Sequence, residues 1–204
     1  MGRLFVPGII LLFFCPPVFA HDGLHRESLR ALLKADGLYL VLLYSRDSGE
    51  RARWERQQAD GNGDGHLDRN EREAWLKKLE ASVLQRLSLE LDDALLVPSV
   101  QHRSATGLSG PSRSQGAITA SLQVRWSFGR AKTHRLILRM TPNNLAGHVP
   151  LFLQVDSGLR LAEHSGRVVK GAGGVRLEEL LRAKTAARMT FVLAPAEQAP
   201  EKHL

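Results

Sequence analysis

Cysteine is almost absent from this sequence of 204 residues, since its single copy, Cys15, lies near the N-terminus. Residues 1–20 have the form of an export signal: Arg3 precedes an apolar run over residues 4–14, and residues 18–20 offer a small-x-small cleavage pattern. We therefore predict a signal peptide over residues 1–20 and an exported chain, periplasmic or extracellular, that has no cysteine. Such a chain excludes disulfides, thiol catalysis and cysteine-ligated zinc or iron–sulfur centres.

Long apolar runs are missing as well. The run over residues 4–14 is shorter than the roughly 20 residues of a spanning helix, and Pro16 and Pro17 interrupt its continuation. This shortness disfavours the alternative of an uncleaved membrane anchor, and we expect no transmembrane segment in the mature chain.

Aromatic residues amount to only 6%, and the net charge of +7 comes from scattered arginines. We therefore expect a solvated basic surface and no nucleic-acid partner.

Alternating apolar and polar side chains indicate strands in much of the chain. The clearest run has apolar residues at every second position from Ile118 to Phe128, as in an antiparallel sheet with one wet face. Residues 28–35 and 38–45 flank Asp36-Gly37, a pair suited to a hairpin turn, although the first segment also fits a helix. Further strands are predicted at residues 87–91, 134–140, 151–155, 158–162 and 189–193, with a turn at Asp92-Asp93 and a Ser/Gly-rich loop at 104–116.

Two segments indicate helices instead. Between residues 75 and 87, apolar side chains recur at three- and four-residue spacing, which predicts an amphipathic helix. A short helix is predicted around Leu177, Leu180 and Leu181. The whole pattern predicts a mainly β protein, an antiparallel β-sandwich with a helix-loop-helix inserted between its early strands. Its parts would be a first hairpin over residues 21–47, the helix-loop-helix over 48–86, the rest of the sandwich over 87–193 and a loose tail over 194–204.

Residues 60–71 read Asp-Gly-Asn-Gly-Asp-Gly-His-Leu-Asp-Arg-Asn-Glu, which matches the EF-hand calcium loop at its diagnostic positions. Calcium takes about six to eight oxygen ligands, and the pattern supplies them at regular intervals. Gly65 permits the sharp bend of such a loop, and Leu67 is expected to face inward. The predicted ligands are Asp60, Asn62 and Asp64 through their side chains, His66 through its backbone carbonyl, Asp68 directly or through water, and Glu71 through both carboxylate oxygens.

The flanks of this loop match less completely. Asp68 and Glu71 form an acidic version of a capping box for the outgoing helix. In the incoming segment, Glu55 and Arg56 stand where EF-hand helices usually bury apolar side chains, which leaves Trp54 and Ala59 as its predicted anchors. The alternative interpretation, an ordinary Asp/Asn/Gly-rich surface turn, requires an accidental match at every diagnostic position.

A second loop of this kind is absent, and only three methionines are present. Calcium sensors pair two loops and open a Met-rich groove, so the sequence favours a structural site over a switch.

Neither residues 107–110 nor residues 171–174 have the spacing of a nucleophile elbow or a phosphate loop, and we expect no enzyme. His21 and His25 leave open a transition-metal site at the mature terminus, where amine and imidazole occur together.

The order of these segments resembles a bacterial arrangement. The residues that carry the resemblance are 59–65 (Ala-Asp-Gly-Asn-Gly-Asp-Gly), 71–76 (Glu-Arg-Glu-Ala-Trp-Leu) and 87–92 (Leu-Ser-Leu-Glu-Leu-Asp). Within residues 28–140 they are similar to the exported EF-hand and β-sandwich domain that precedes the membrane part of nickel/cobalt-type permeases. The resemblance implies the calcium ligands named above and a membrane protein or transporter as a partner. No transmembrane segment follows the predicted sandwich here, which sets this chain apart from that arrangement.

Two functions are predicted from these observations. The first is an exported calcium-binding protein whose single EF-hand stabilises a β-sandwich binding module. The alternative is a periplasmic accessory subunit of a nickel/cobalt-type uptake system, in which His21 and His25 deliver the ion.

Overall fold

The structure is a computed structural model that describes residues 25–128, 133–143, 147–156, 159–171, 174–182 and 185–193. The predicted signal peptide, His21 and the predicted tail over 194–204 lie outside the described residues. Neither described helix is long and apolar enough to span a membrane. The elements in chain order are β1 (His25–Lys34), β2 (Gly37–Arg46), α1 (Glu50–Ala59), β3 (His66–Leu67), α2 (Arg69–Arg86), β4 (Leu87–Leu91), β5 (Ala94–Leu96), β6 (Ser99–Thr106), β7 (Gly110–Pro111), β8 (Ile118–Ser127), β9 (Thr133–Met140), β10 (Val149–Val155), β11 (Leu159–His164), β12 (Arg167–Gly171), β13 (Gly174–Leu181) and β14 (Ala187–Leu193).

The strands form two large sheets and one small one. The seven-stranded sheet has the order β12-β13-β10-β1-β2-β8-β6, the five-stranded sheet has the order β11-β14-β9-β4-β5, and β3 pairs with β7. The protein is therefore mainly β, as predicted. However, β1 runs parallel to β10, with Leu29 opposite Leu151, and the prediction of an antiparallel sheet is wrong for this pair. Alternation identifies the buried face of a strand, but it does not identify the strand beside it.

Both large sheets bury one face in a single apolar cluster. In β8, the side chains from Ile118 to Trp126 alternate between buried and accessible, as the sequence predicted. Leu136, Leu138 and Met140 of β9 contribute from the other sheet, each with at most 1% of its surface exposed. At roughly 1.5–3 kcal/mol for each large apolar side chain that is fully buried, this shared core is the main stabilising contribution.

The first hairpin forms as predicted, but its turn lies one residue earlier. Lys34 pairs with Gly37, so that Ala35 and Asp36 make the turn. Gly37 is required for a different reason: a Cβ atom at this position would lie 2.3 Å from the carbonyl oxygen of Trp126 in the neighbouring β8. A glycine that looks like a turn residue in the sequence therefore permits two strands to approach.

The predicted short helix around Leu177 is instead part of β13. This strand pairs with β10 on one side and β12 on the other. Leu177 and Leu181 are fully buried, whereas Leu180 is 49% exposed. A four-residue spacing fits both periods, because residues i and i+4 share a face in a strand as well as in a helix. The prediction is wrong because Leu180 lies on the opposite face of the strand from Leu177 and Leu181.

Candidate metal-binding loop

The predicted EF-hand loop connects α1 to α2, in sequence between β2 and β4. The buried face of α1 consists of Ala52, Arg56 and Ala59. The sequence predicts Trp54 as an anchor of this helix, but Trp54 is 61% exposed. That prediction is wrong because Arg56, which is only 2% exposed, takes the anchoring position. Ala59, the other predicted anchor, is buried.

A second set of contacts holds α1 against β2. Glu55 accepts a hydrogen bond of 2.5 Å from the Tyr44 hydroxyl and one of 2.9 Å from Arg46 Nε. Burial first, and then the Glu55 carboxylate, raise the pKa of the Tyr44 phenol above its usual value. Tyr44 also makes an edge-on contact with Trp75 of α2, at 5.7 Å between ring centroids. The two helices are therefore attached to the same strand.

Side chains in the first half of the loop accept hydrogen bonds from the backbone of the same loop. Asp60 accepts the N–H groups of Gly63 and Gly65, at 2.9 and 3.0 Å. Asn62 Oδ1 accepts from Asp64 N–H at 2.9 Å, and Asp64 Oδ1 accepts from His66 N–H at 2.8 Å. Gly65 has φ of +85°, a left-handed conformation that suits glycine, at the position where the sequence predicts a bend.

Glu71 closes the loop from the other end. Its Oε1 accepts the N–H groups of Gly61 and Asn62, at 2.9 and 3.2 Å, so that the twelfth residue touches the second and third. Its Oε2 accepts from Asp68 N–H at 3.1 Å, while Asp68 Oδ1 accepts from Glu71 N–H at 2.8 Å. This reciprocal pair is the capping box predicted from the sequence, and it starts α2 at the edge of the loop.

The donor chemistry of the loop fits a hard cation, although the acidic side chains are not gathered around a point. Among the described residues, no three His, Cys, Asp or Glu side chains are grouped as a metal cluster. Each carboxylate has about four lone-pair directions, and Asp60 and Asp64 use only part of theirs. Asn62 Nδ2 donates to Asp64 Oδ2 at 3.1 Å.

The back of the loop packs against a distant part of the chain. Leu67 is buried, as predicted, and β3 pairs with β7 through Leu67 opposite Gly110. Ser112 N–H donates to the Gly65 carbonyl at 2.8 Å. This partner falls in the predicted Ser/Gly-rich loop, to which the sequence assigns no role. No sequence signal links the two segments, since they are more than forty positions apart.

A pocket of about 660 Å³ opens near the ends of β6 and β8. Its wall includes hydroxyl pairs between the two strands: Ser104 with Ser121 at 2.9 Å, and Thr106 with Thr119 at 2.5 Å. Glu27, which also lines it, is bound by Arg86 at 2.7 Å. The remaining lining residues are Arg26, Ser28, Leu43, Tyr44, Ser45, Ala105, Ala120, His148 and Pro150.

The described histidines outside the loop form no metal cluster with it. His25 begins β1, and the predicted terminal site with His21 lies partly outside the described residues. His102, His148 and His164 are exposed, whereas His134 is buried and its Nδ1 lies 2.7 Å from Asp92 Oδ2.

Comparison with known proteins does not assign this chain to a family. No protein-family model and no curated protein matches the sequence. Among solved structures, the chain is similar to yeast LTA4 hydrolase in complex with bestatin, with 9% identity and a TM-score of 0.35. The match covers 85% of this chain and 29% of the hydrolase chain. A similarity this weak carries no argument about fold or function.

Proposed function

We propose that residues 60–71 are a calcium-binding EF-hand loop in an exported protein, and that the ion stabilises a β-sandwich binding module. The observation that carries the proposal is the contact of Glu71 with the amides of Gly61 and Asn62. Through this contact, the residue predicted to bind calcium through both oxygens touches the backbone of Asn62, another predicted ligand. The capping box and the buried Leu67 support the same interpretation.

In this proposal, the bound ion would supply charge neutralisation for four carboxylates. Asp60, Asp64, Asp68 and Glu71 are four acidic side chains within one twelve-residue loop, and like charges repel one another. Asn62 and the backbone carbonyl of His66 would complete the oxygen set. The ligands Asp68 and Glu71 also start α2, so binding would stabilise the helix as well as the loop.

The proposed binding surface is the pocket near the ends of β6 and β8, which residues of β1, β2 and β10 also line. Six serine and threonine residues line it: Ser28, Ser45, Ser104, Thr106, Thr119 and Ser121. Four of these hydroxyls already pair with one another, and most of the exposed lining is apolar, so the pocket suits a ligand with an apolar body and a few polar groups.

Isothermal titration of the chain without residues 1–20 tests the calcium site. We expect one site with a dissociation constant of roughly 10⁻⁴ to 10⁻³ M, the range of extracellular modules. Glu71→Gln should weaken binding sharply and leave the strands folded, whereas Glu73→Gln on the same helix should bind as the wild type does. Absence of any heat at millimolar calcium would contradict the proposal.

The same titration with nickel and cobalt tests the alternative function. A transition-metal accessory subunit should bind these ions tightly, and binding should disappear when the amine and imidazole of His21 are blocked. Binding of calcium alone would count against it.

A further inference from the structure

Arg56 is a buried cation whose hydrogen-bond partners are backbone carbonyls. Its Nε donates to Gly107 O at 2.7 Å, its Nη1 to Ser114 O at 2.9 Å and to Ala52 O at 3.3 Å, and its Nη2 to Ala117 O at 3.2 Å. Burial lowers the pKa of this arginine, and Glu55 opposes that effect. The guanidinium group holds its N–H donors in a fixed fork. It can therefore donate to several carbonyl oxygens that the single ammonium group of a lysine would not reach together.

Three of these acceptors belong to residues 107–117, which we call the docking segment. Gly49 N–H, just before α1, donates to Gln115 O at 2.8 Å. At the other end of the helix, the docking segment pairs with the candidate calcium loop through β7 and Ser112. Leu108, 1% exposed, and Ser112, 3% exposed, are the buried side chains of the docking segment's middle part. The docking segment therefore touches α1 at its start, at its middle and beyond its end.

Gly107 shows how tightly the docking segment closes. Its φ is +77°, and a Cβ atom there would lie 2.1 Å from Ala117 O and 3.2 Å from Arg56 Nη2. Arg56 thus bridges the two ends of the docking segment, one residue after β6 and one residue before β8. The hydroxyl pairs that line the pocket, Thr106 with Thr119 and Ser104 with Ser121, begin at these same ends.

We propose that the docking segment is an internal partner of the calcium loop, and that Arg56 is the positioning residue that couples ion binding to the β6–β8 wall of the pocket. This inference rests on the proposed calcium function. The loop begins at Asp60, about one helical turn after Arg56, so an ion that fixes Asp60 also fixes the end of the helix that carries the guanidinium. The coupling is reciprocal: an ordered docking segment raises calcium affinity, and bound calcium orders the docking segment.

The first test combines calcium titration with amide hydrogen exchange on the full exported chain. Arg56→Met removes the donors and keeps an unbranched side chain; Arg53→Met on the same helix is the control, because Arg53 pairs with Glu50 instead. We expect Arg56→Met to weaken calcium binding by roughly tenfold, within the usual range of coupling between sites. In the wild type, calcium should slow exchange at residues 107–117, and in Arg56→Met this protection should be confined to residues 60–71.

A milder variant keeps the test valid if Arg56→Met does not fold. Gly110 has φ of +81° with no atom within 4 Å of the place that a Cβ atom would take, and Gly147 has φ of +66° in equally open space. Alanine at either site therefore introduces backbone strain without a clash. We expect Gly110→Ala to weaken calcium binding several-fold by disturbing β7, and Gly147→Ala to leave it unchanged.

The outcomes separate the two proposals. If the wild type does not bind calcium, the proposed function fails whatever the variants do. If the wild type binds calcium and Gly110→Ala keeps both the affinity and the calcium-dependent protection of the Ser112 amide, the docking segment is not coupled to the loop and the inference is overturned. Equal behaviour of folded Arg56→Met and Arg53→Met would overturn the role of Arg56.

Discussion

Asp92 stabilises the tight turn between β4 and β5 through its carboxylate. Its φ is +51° and that of Asp93 is +70°, conformations that Asp tolerates better than most residues. Asp92 Oδ1 accepts from Arg135 N–H at 2.7 Å, and Oδ2 lies 2.7 Å from His134 Nδ1. Desolvation alone would raise the pKa of Asp92, but the contacts with Arg135 and His134 outweigh it and lower that pKa.

A lowered pKa gives Asp92 a defined pH dependence. Its contribution to stability is complete above the unfolded value of 3.8 and is lost as the pH falls through the lower folded value. Asp92→Asn keeps the turn conformation and removes the charge. We expect the variant to be less stable at neutral pH and the difference from the wild type to shrink below about pH 4. Urea unfolding at several pH values measures this, and a constant difference would contradict it.

At the candidate site, the sequence predicted local features and missed distant ones. The capping box of Asp68 and Glu71 and the bend at Gly65 were predicted correctly, because both depend on residues within one short segment. The burial of Arg56 depends on carbonyls 51 to 61 positions away. A charged residue is expected on the surface unless its partners are known. The partners of Arg56 are backbone carbonyls, which every residue has, so the residue types in the sequence do not identify them.

Helix α2 is attached to the seven-stranded sheet by a buried ion pair in its last turn. Arg86 donates to both carboxylate oxygens of Glu27 in β1, at 2.7 and 2.9 Å, and also to Thr141 O at 3.0 Å. The Glu27 side chain is only 1% exposed and that of Arg86 is 16% exposed. Removing the charge of one partner leaves the other buried without compensation.

We expect Glu27→Gln to lower the free energy of unfolding by about 2–3 kcal/mol, somewhat less than the loss of a whole buried partner. Glutamine preserves the size and one oxygen acceptor, so the effect reports mainly the charge. Asp47→Asn is the matched control, because the Arg26–Asp47 pair is 3.5 Å long and exposed on both sides, and it should unfold at the wild-type midpoint. Equal midpoints for Glu27→Gln and the wild type would show that the pair contributes no net stability.

Strands and helices were predictable to the extent that their period was unambiguous. The alternation of β8 and the change from helix to strand at Leu87 could be recognised in the sequence, because each period repeats several times. Around Leu177, the spacing of Leu177 and Leu181 fits both periods, and the pairing of β13 with strands on both sides shows that the segment is a strand. The parallel contact of β1 with β10 joins residues more than a hundred positions apart, which a local pattern does not encode.

For the whole molecule, the proposed calcium loop and the core have separate roles. The core joins both large sheets through apolar burial that needs no ion. The loop contributes at the edge of this core through Leu67, and through α2, whose Leu76 and Val83 are almost fully buried. Loss of the ion should therefore reduce stability and leave the strands in place, in contrast to small metal domains that unfold without their metal.

Thermal unfolding of the chain without residues 1–20 tests whether the strands stay folded when the ion is absent. At free calcium about ten times the dissociation constant, binding to the folded state alone adds on the order of 1.4 kcal/mol. For a chain of this size, that corresponds to a rise in Tm of roughly 3–6 °C. The rise should vanish in Glu71→Gln and persist in Glu73→Gln, and magnesium should reproduce little of it because a flexible set of side chains suits calcium better. A calcium-free protein with the circular dichroism of an unfolded chain would show instead that the sheets depend on the ion.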